Sequence, residues 1–501
     1  MASTAMRRPA AGVGEGFPVW PLIGLAVIGA MSGMLGPEMF TYALIGVVGV
    51  SVVGVRPQLG VAIILFMLMV QYGSRQADRT GAAGLSSLIP QGTGLLSVNN
   101  VMGIMLLALM AYRLRAERDW SFLKSPIVQL VLASTAVLLV SAFVSGITVT
   151  DQAAVGLVAT TGEDPSRMLL SRALFVVLFV YFVRSPRDVL AFIALFVALS
   201  VLTAWSGSGA AVTNTGRQAV GTYRAGGTNV LITSAQNPNR LGMIATLALI
   251  YIWEFSETRR SKLLKLGALG LILLLVVTVF LTASRGGLIG LVFAGVMLFV
   301  RRSGGSGRWL YGLVAIAIAG ALIQEIVPEE ALTRITSIPG LNSSDDKNST
   351  GQGSVEKREY TIGIGLTVWK TAPIIGVGPG NWSYVRFLND PMRSGGAAHN
   401  SFLQMLAEGG VVTLSLYMLL FYITISNILR CEWSPEIIAR ARSEGLEWVV
   451  VGTRICLLSF MVFSVFADLW DLIFSYFLVA VSAVLIQRYV WSAPELEPEL
   501  A

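Results

Sequence analysis

Long apolar runs separated by short charged loops fill most of this 501-residue chain. They lie near 17–34, 39–55, 58–72, 98–112, 126–147, 169–183, 188–205, 240–254, 263–282, 286–301 and 309–325. After a long polar gap come runs near 401–428, 447–467 and 472–488. A bilayer core is crossed by roughly 20 apolar residues in a helix, so each run has about the length of one span. The pattern predicts an all-α polytopic membrane protein with about 14 transmembrane helices, or 12 if short neighbouring runs are fused. Three segments follow: 1–325 with helices 1–11, a large outer loop 326–400 carrying short helices, and 401–501 with helices 12–14 and a tail. Arg7 and Arg8 precede the first run, which reads as a retained anchor because a polytopic chain follows and no cleavage site is visible.

Composition supports the class: 54% of residues are hydrophobic and only 13% charged. The net charge of +7 would suit a nucleic-acid partner if it were clustered, but it is spread over the connecting loops, so no nucleic acid is expected. Arg56, Arg113, Arg115, Arg118, Lys124, Arg184, Arg187, Arg259, Arg260, Lys262, Lys265, Arg301, Arg302, Arg308, Arg430, Arg440, Arg442 and Arg488 all fall in loops of one side. Positive loops stay cytoplasmic, which puts loop 206–239, the turn at Arg285 and the gap 326–400 outside. Cys431 and Cys456 show neither metal spacing nor a plausible disulfide. Arg172 and Arg454 lie near span ends, where a long side chain can reach the surface, so the interior offers no ion relay. That absence, together with the lack of an internal repeat, argues against a transporter.

Polar chemistry gathers outside. Loop 206–239 carries Arg224 among glycines and ends in Asn237-Pro238-Asn239-Arg240, a turn with Asn239 as the expected N-cap. Ser284-Arg285-Gly286 sits between two runs with almost no connection. An arginine opening a helix there aims its guanidinium and the helix N–H groups at one point, a natural phosphate site. In the gap, Ser354 would cap a helix to about Thr371 that carries Arg358, Tyr360 and Trp369, and Pro373 would stop it. Gly376-Val377-Gly378-Pro379-Gly380-Asn381-Trp382 is a backbone-permissive turn, and Arg386 and Arg393 follow it. The only histidine, His399, opens His399-Asn400-Ser401 at a helix start, with Glu408-Gly409-Gly410 further along. A helix-capping polar residue would explain a lone histidine; its surroundings favour a base near neutrality.

The order of these motifs over residues 220–425 resembles the O-antigen ligase and Wzy-type polymerase superfamily of bacterial membrane glycosyltransferases. The resemblance implies a GT-C-like enzyme of the inner membrane with its active site facing the periplasm. Its donor would be a glycan on undecaprenyl pyrophosphate and its acceptor a glycan or lipid A core, with no cofactor and no metal. A chain-length regulator or flippase would be a further partner beside the membrane lipids. The family's functional residues map onto Arg285, Arg358 and His399, with Arg224 a further pyrophosphate contact. Tyr360, Asn381, Trp382, Asn400 and Glu408 are the expected glycan or acceptor contacts. Residue chemistry agrees: a sugar hydroxyl attacking an anomeric carbon needs a base, and the departing pyrophosphate needs its charge held. Polymerisation is favoured over ligation by the surplus of helices over the dozen or so usual in the family.

Overall fold

Proline and a capping side chain set many of the helix starts. In the computed structural model, which describes residues 56–70, 98–147, 165–212, 237–303, 352–390 and 398–491, no strand occurs among the described residues. The helices are α1 (Pro57–Val70), α2 (Val98–Glu117), α3 (Pro126–Ser145), α4 (Pro165–Phe182), α5 (Pro186–Val212), α6 (Pro238–Glu257), α7 (Lys262–Leu281) and α8 (Arg285–Ser303). There follow α9 (Gln352–Thr371), α10 (Trp382–Asn389), α11 (Ser401–Trp433), α12 (Pro435–Ser443), α13 (Glu447–Ser464) and α14 (Ile473–Ile486). Six begin at proline, whose missing N–H costs nothing in the first turn and whose fixed φ is already helical. Ser125 and Ser434 accept from Val128 N and Ile437 N, closing the starts of α3 and α12.

Three expected runs, 17–34, 39–55 and 309–325, lie outside the described residues, and each of the others is a helix. Seven helices among the described residues are long and apolar enough to cross a membrane, so the chain is a polytopic membrane protein. Two boundaries differ from expectation. The helix before Pro373 starts at Gln352, ahead of Ser354. The cap of α6 is Asn237, whose side chain accepts from Asn239 N at 2.9 Å, which leaves Asn239 inside the helix with its side-chain amide turned to Ser284.

Where helices cross, glycine lets them approach. A Cβ on Gly242 would stand 3.2 Å from Gly287 Cα, so α6 and α8 touch through backbone near their starts. Gly290 faces the ring of Phe463 on α13, and Gly452 of α13 faces Tyr251 on α6. Phe175, Phe179, Phe196, Phe474 and Phe477, all fully buried, fill the centre between α4, α5 and α14.

The loops read from the sequence as positive meet at one end of the bundle. Arg184 pairs with Asp119 at 2.8 Å, and Arg488 joins Glu444 while donating to Arg184 O. Arg301 pairs with Glu254 and lies 3.7 Å from Glu432, which also binds Arg454. Hydrogen bonds from Ser121 and the nearby Arg184 hold the Asp119 carboxyl at about 2. The opposite end carries His399.

Candidate active site

Three helix starts converge at the His399 end. Ser284 is buried in the turn between α7 and α8; its hydroxyl bonds Asn239 Oδ1 and accepts from Gly287 N at 2.9 Å. It thereby caps α8 and ties it to the start of α6. Ala283 stands before it at φ 47°, a left-handed conformation that a residue with a Cβ rarely adopts. Arg285 therefore leaves a turn fixed on both sides. Next to it, Gly286 is pressed against Phe466: a Cβ there would lie 2.7 Å from Phe466 Cβ.

His399 approaches the same place from another direction. It precedes the helix instead of opening it: Asn400 is the cap, accepting from Phe402 N and Leu403 N at 3.0 Å each, and His399 itself has φ 52°. Ser401 Oγ donates to Ala467 O at 2.7 Å and accepts from Leu469 N at 2.8 Å, which sews this start to the turn between α13 and α14. On that turn stands Asp468, its Oδ2 3.7 Å from His399 Nδ1. The carboxylate takes the Asn400 N–H, and Arg240 Nη2 donates to Asp468 O at 3.1 Å. Burial pushes the Asp468 carboxyl up from its ordinary value, while the charges of His399 and Arg240 pull against that. The fold thus makes Asp468, on a turn distant in sequence, the partner of the imidazole.

A second device holds α11 in place. At Gly410 (φ 66°, ψ −173°) the helix is broken, and the Gly-rich turn fills the gap. Val377 N and Gly378 N donate to Ala407 O and Glu408 O at 3.0 and 2.9 Å. In return, Val411 N and Val412 N donate to Pro373 O and Ile374 O at 3.0 and 3.2 Å. Ser141 Oγ reaches Gly376 O and Glu408 O from α3. Gly376, Gly378 and Gly380 all have positive φ, as the sequence predicts for a permissive turn. Backbone groups freed by the break are satisfied inside the protein, as membrane depth requires.

The other expected residues divide by position. Tyr360 donates to Asp390 and lies beneath the guanidinium of the buried Arg386, 5.7 Å from ring centroid to Cζ. Asn381 Nδ2 donates to Val377 O at 2.8 Å and Trp382 is 2% exposed, so both are embedded in the turn. Glu408 is fully buried, and its Oε1 accepts from Trp382 N and Gln404 Nε2 at 3.2 Å each. That is the position of a carboxyl group closing the N-terminus of α10. Asn400 is occupied as a cap, and Trp369 Nε1 donates to Pro373 O at 3.0 Å. Arg358 falls on α9 with its side chain outside the described set, and Arg224 and Arg393 lie outside the described residues. Sequence reasoning missed Asp468 and the guanidinium of Arg240; an acid on a short turn at the charge-poor end is the one signal that could have found the first.

A search of curated proteins finds no match. A model of the Wzy_C family, described as O-antigen ligase, matches residues 270–418. The matched stretch runs from α7 into α11 and contains Arg285, Arg358, His399 and the broken helix. Over this segment the chain is similar to the O-antigen ligase family.

Proposed function

We propose that this protein is an inverting membrane glycosyltransferase that transfers an undecaprenyl-pyrophosphate-linked glycan at the periplasmic face of the inner membrane. The observation that carries the reading is the meeting of His399, Asp468 and the Arg285 turn on one segment, 466–469. With Asp468 on its Nδ1 side, the half-exposed ring meets a sugar hydroxyl through Nε2. That nitrogen takes the hydroxyl proton as oxygen attacks the anomeric carbon. The bond to pyrophosphate breaks on the opposite face, which inverts the centre. Asp468 holds the ring and offsets the imidazolium that forms, the part an acid plays beside a catalytic histidine. Arg285, with Arg358 and Arg224 as further contacts, receives the leaving pyrophosphate, its charge supplemented by the N-terminus of α8. Asn400, Tyr360, Asn381, Trp382 and Glu408 shape the acceptor side, the last three by fixing the turn and α10. The chemistry above uses no metal.

Polymerisation, with a second lipid-linked unit as acceptor, is our principal reading. Ligation to a lipid A core is the second, favoured by the description of the matching family. Purified protein given a defined lipid-linked repeat unit and no second acceptor should lengthen it. If product forms only when lipid A core is added, ligation is the activity; if neither acceptor yields product, the transferase reading falls.

Replacing Arg285 or Arg358 by Lys preserves charge and removes the planar fork. Each variant should transfer at least about tenfold more slowly at unchanged protein level, equivalent to about 1.4 kcal/mol in the barrier. Normal turnover by both would overturn bidentate recognition of the pyrophosphate.

A further inference from the structure

Among the described residues, Arg172 is the most anomalous charge. The sequence places it near a span end, where its side chain could reach the surface, yet it is 3% exposed. Its Nε and Nη1 are buried without a hydrogen-bond partner, and no described carboxylate forms an ion pair with it. Arg172 stands seven residues into α4, about 10 Å along the axis from Pro165. The start of α4 is at the His399 end, because Gly380 of the interlocking turn packs on Pro165. Long helical side chains lean toward the N-terminus of their helix, so the guanidinium lies nearer that membrane surface than its Cα. Its charge is felt at Tyr476 on the neighbouring α14. Asp471, just ahead of α14, also acts electrostatically on Tyr476 and keeps a buried, unpartnered Oδ1 of its own.

A buried guanidinium without an anion is expensive, and an ionisable side chain inside a membrane span marks a functional site. Asp471, which acts on the same tyrosine, forms no ion pair with Arg172 among the described residues. The mobile anion available at this depth is phosphate carried by a lipid. We propose that Arg172 binds the phosphate of a lipid at the His399 end of the bundle, between α4 and α14. Two lipids carry that group, a phospholipid and a lipid-linked glycan donor. Only the second rests on the transferase reading.

The experiment uses the full chain in nanodiscs and has two arms. In the first, native mass spectrometry follows retention of phosphatidylglycerol against diacylglycerol, which has the same acyl chains and no phosphate. In the second, KM and kcat are measured with an undecaprenyl-pyrophosphate-linked repeat unit. Arg172→Gln should weaken phosphatidylglycerol retention or raise donor KM by about tenfold or more, with kcat within about twofold. The arm that moves identifies the lipid. Adding Asp471→Asn should not restore binding; restoration would mean that Asp471 neutralises Arg172 internally, and the proposal would fail. It fails also if neither arm moves. If Arg172→Gln does not fold, Arg172→Lys takes its place, and wild-type behaviour of that variant in both arms counts against the proposal. Absence of turnover by the wild type would sink the transferase reading while leaving the retention arm readable.

Discussion

His399→Gln is expected to bind lipid-linked donor nearly as well as wild type while single-turnover transfer drops roughly 10²–10⁴-fold. Glutamine keeps a hydrogen-bonding group beside Asp468 but cannot carry a proton away. The substitution also leaves the surroundings intact, because the segment is held by Asn400 and Ser401, neither of which depends on the imidazole. Binding and chemistry are measured on one preparation. If donor binding disappears and transfer at saturating donor stays normal, His399 is a pyrophosphate ligand and the base is elsewhere.

Gly376→Ala is expected to abolish the folded site. The new Cβ would stand 2.3 Å from both Glu408 C and O, a backbone clash that no rotamer can relieve, at a position whose φ of 74° already disfavours a side chain. We expect a loss of at least about 3 kcal/mol, seen as a failure to obtain monodisperse protein. Gly363→Ala is the control: nothing lies within 4 Å, and alanine in an exposed helix adds about 0.5–1 kcal/mol. Equal yields of the two proteins would show that the interlock does not hold the site.

The chain declares its helices because apolar length, proline and capping residues act locally. Pro126, Pro238 and Pro435 mark starts that the fold keeps. Arg285 and the three glycines of the permissive turn were legible for the same reason: each is a local conformational demand. Asp468 was not, since its meaning depends on a contact between two distant turns that no periodicity records. The break at Gly410 was hidden as well. Gly409-Gly410 within an apolar run reads as tolerated helix, and only the donated amides of 377 and 378 reveal that the helix stops there. Arg172 misled in the opposite direction, because nearness to a span end says nothing about which neighbours enclose a side chain.

The break in α11 also separates two mechanical worlds. Residues 401–409 are fastened to the 467–469 turn and to the glycine turn, whereas 411–433 are tied to the interlock only through the amides of 411 and 412 at their start and run on as a long span with Val411, Met418, Leu419 and Tyr422 turned outward. When bilayer thickness changes, a long span answers by tilting. Because Val411 N and Val412 N are held by Pro373 O and Ile374 O while Val377 N and Gly378 N hold residues 407 and 408, such a tilt would load the glycine turn before it reached the imidazole.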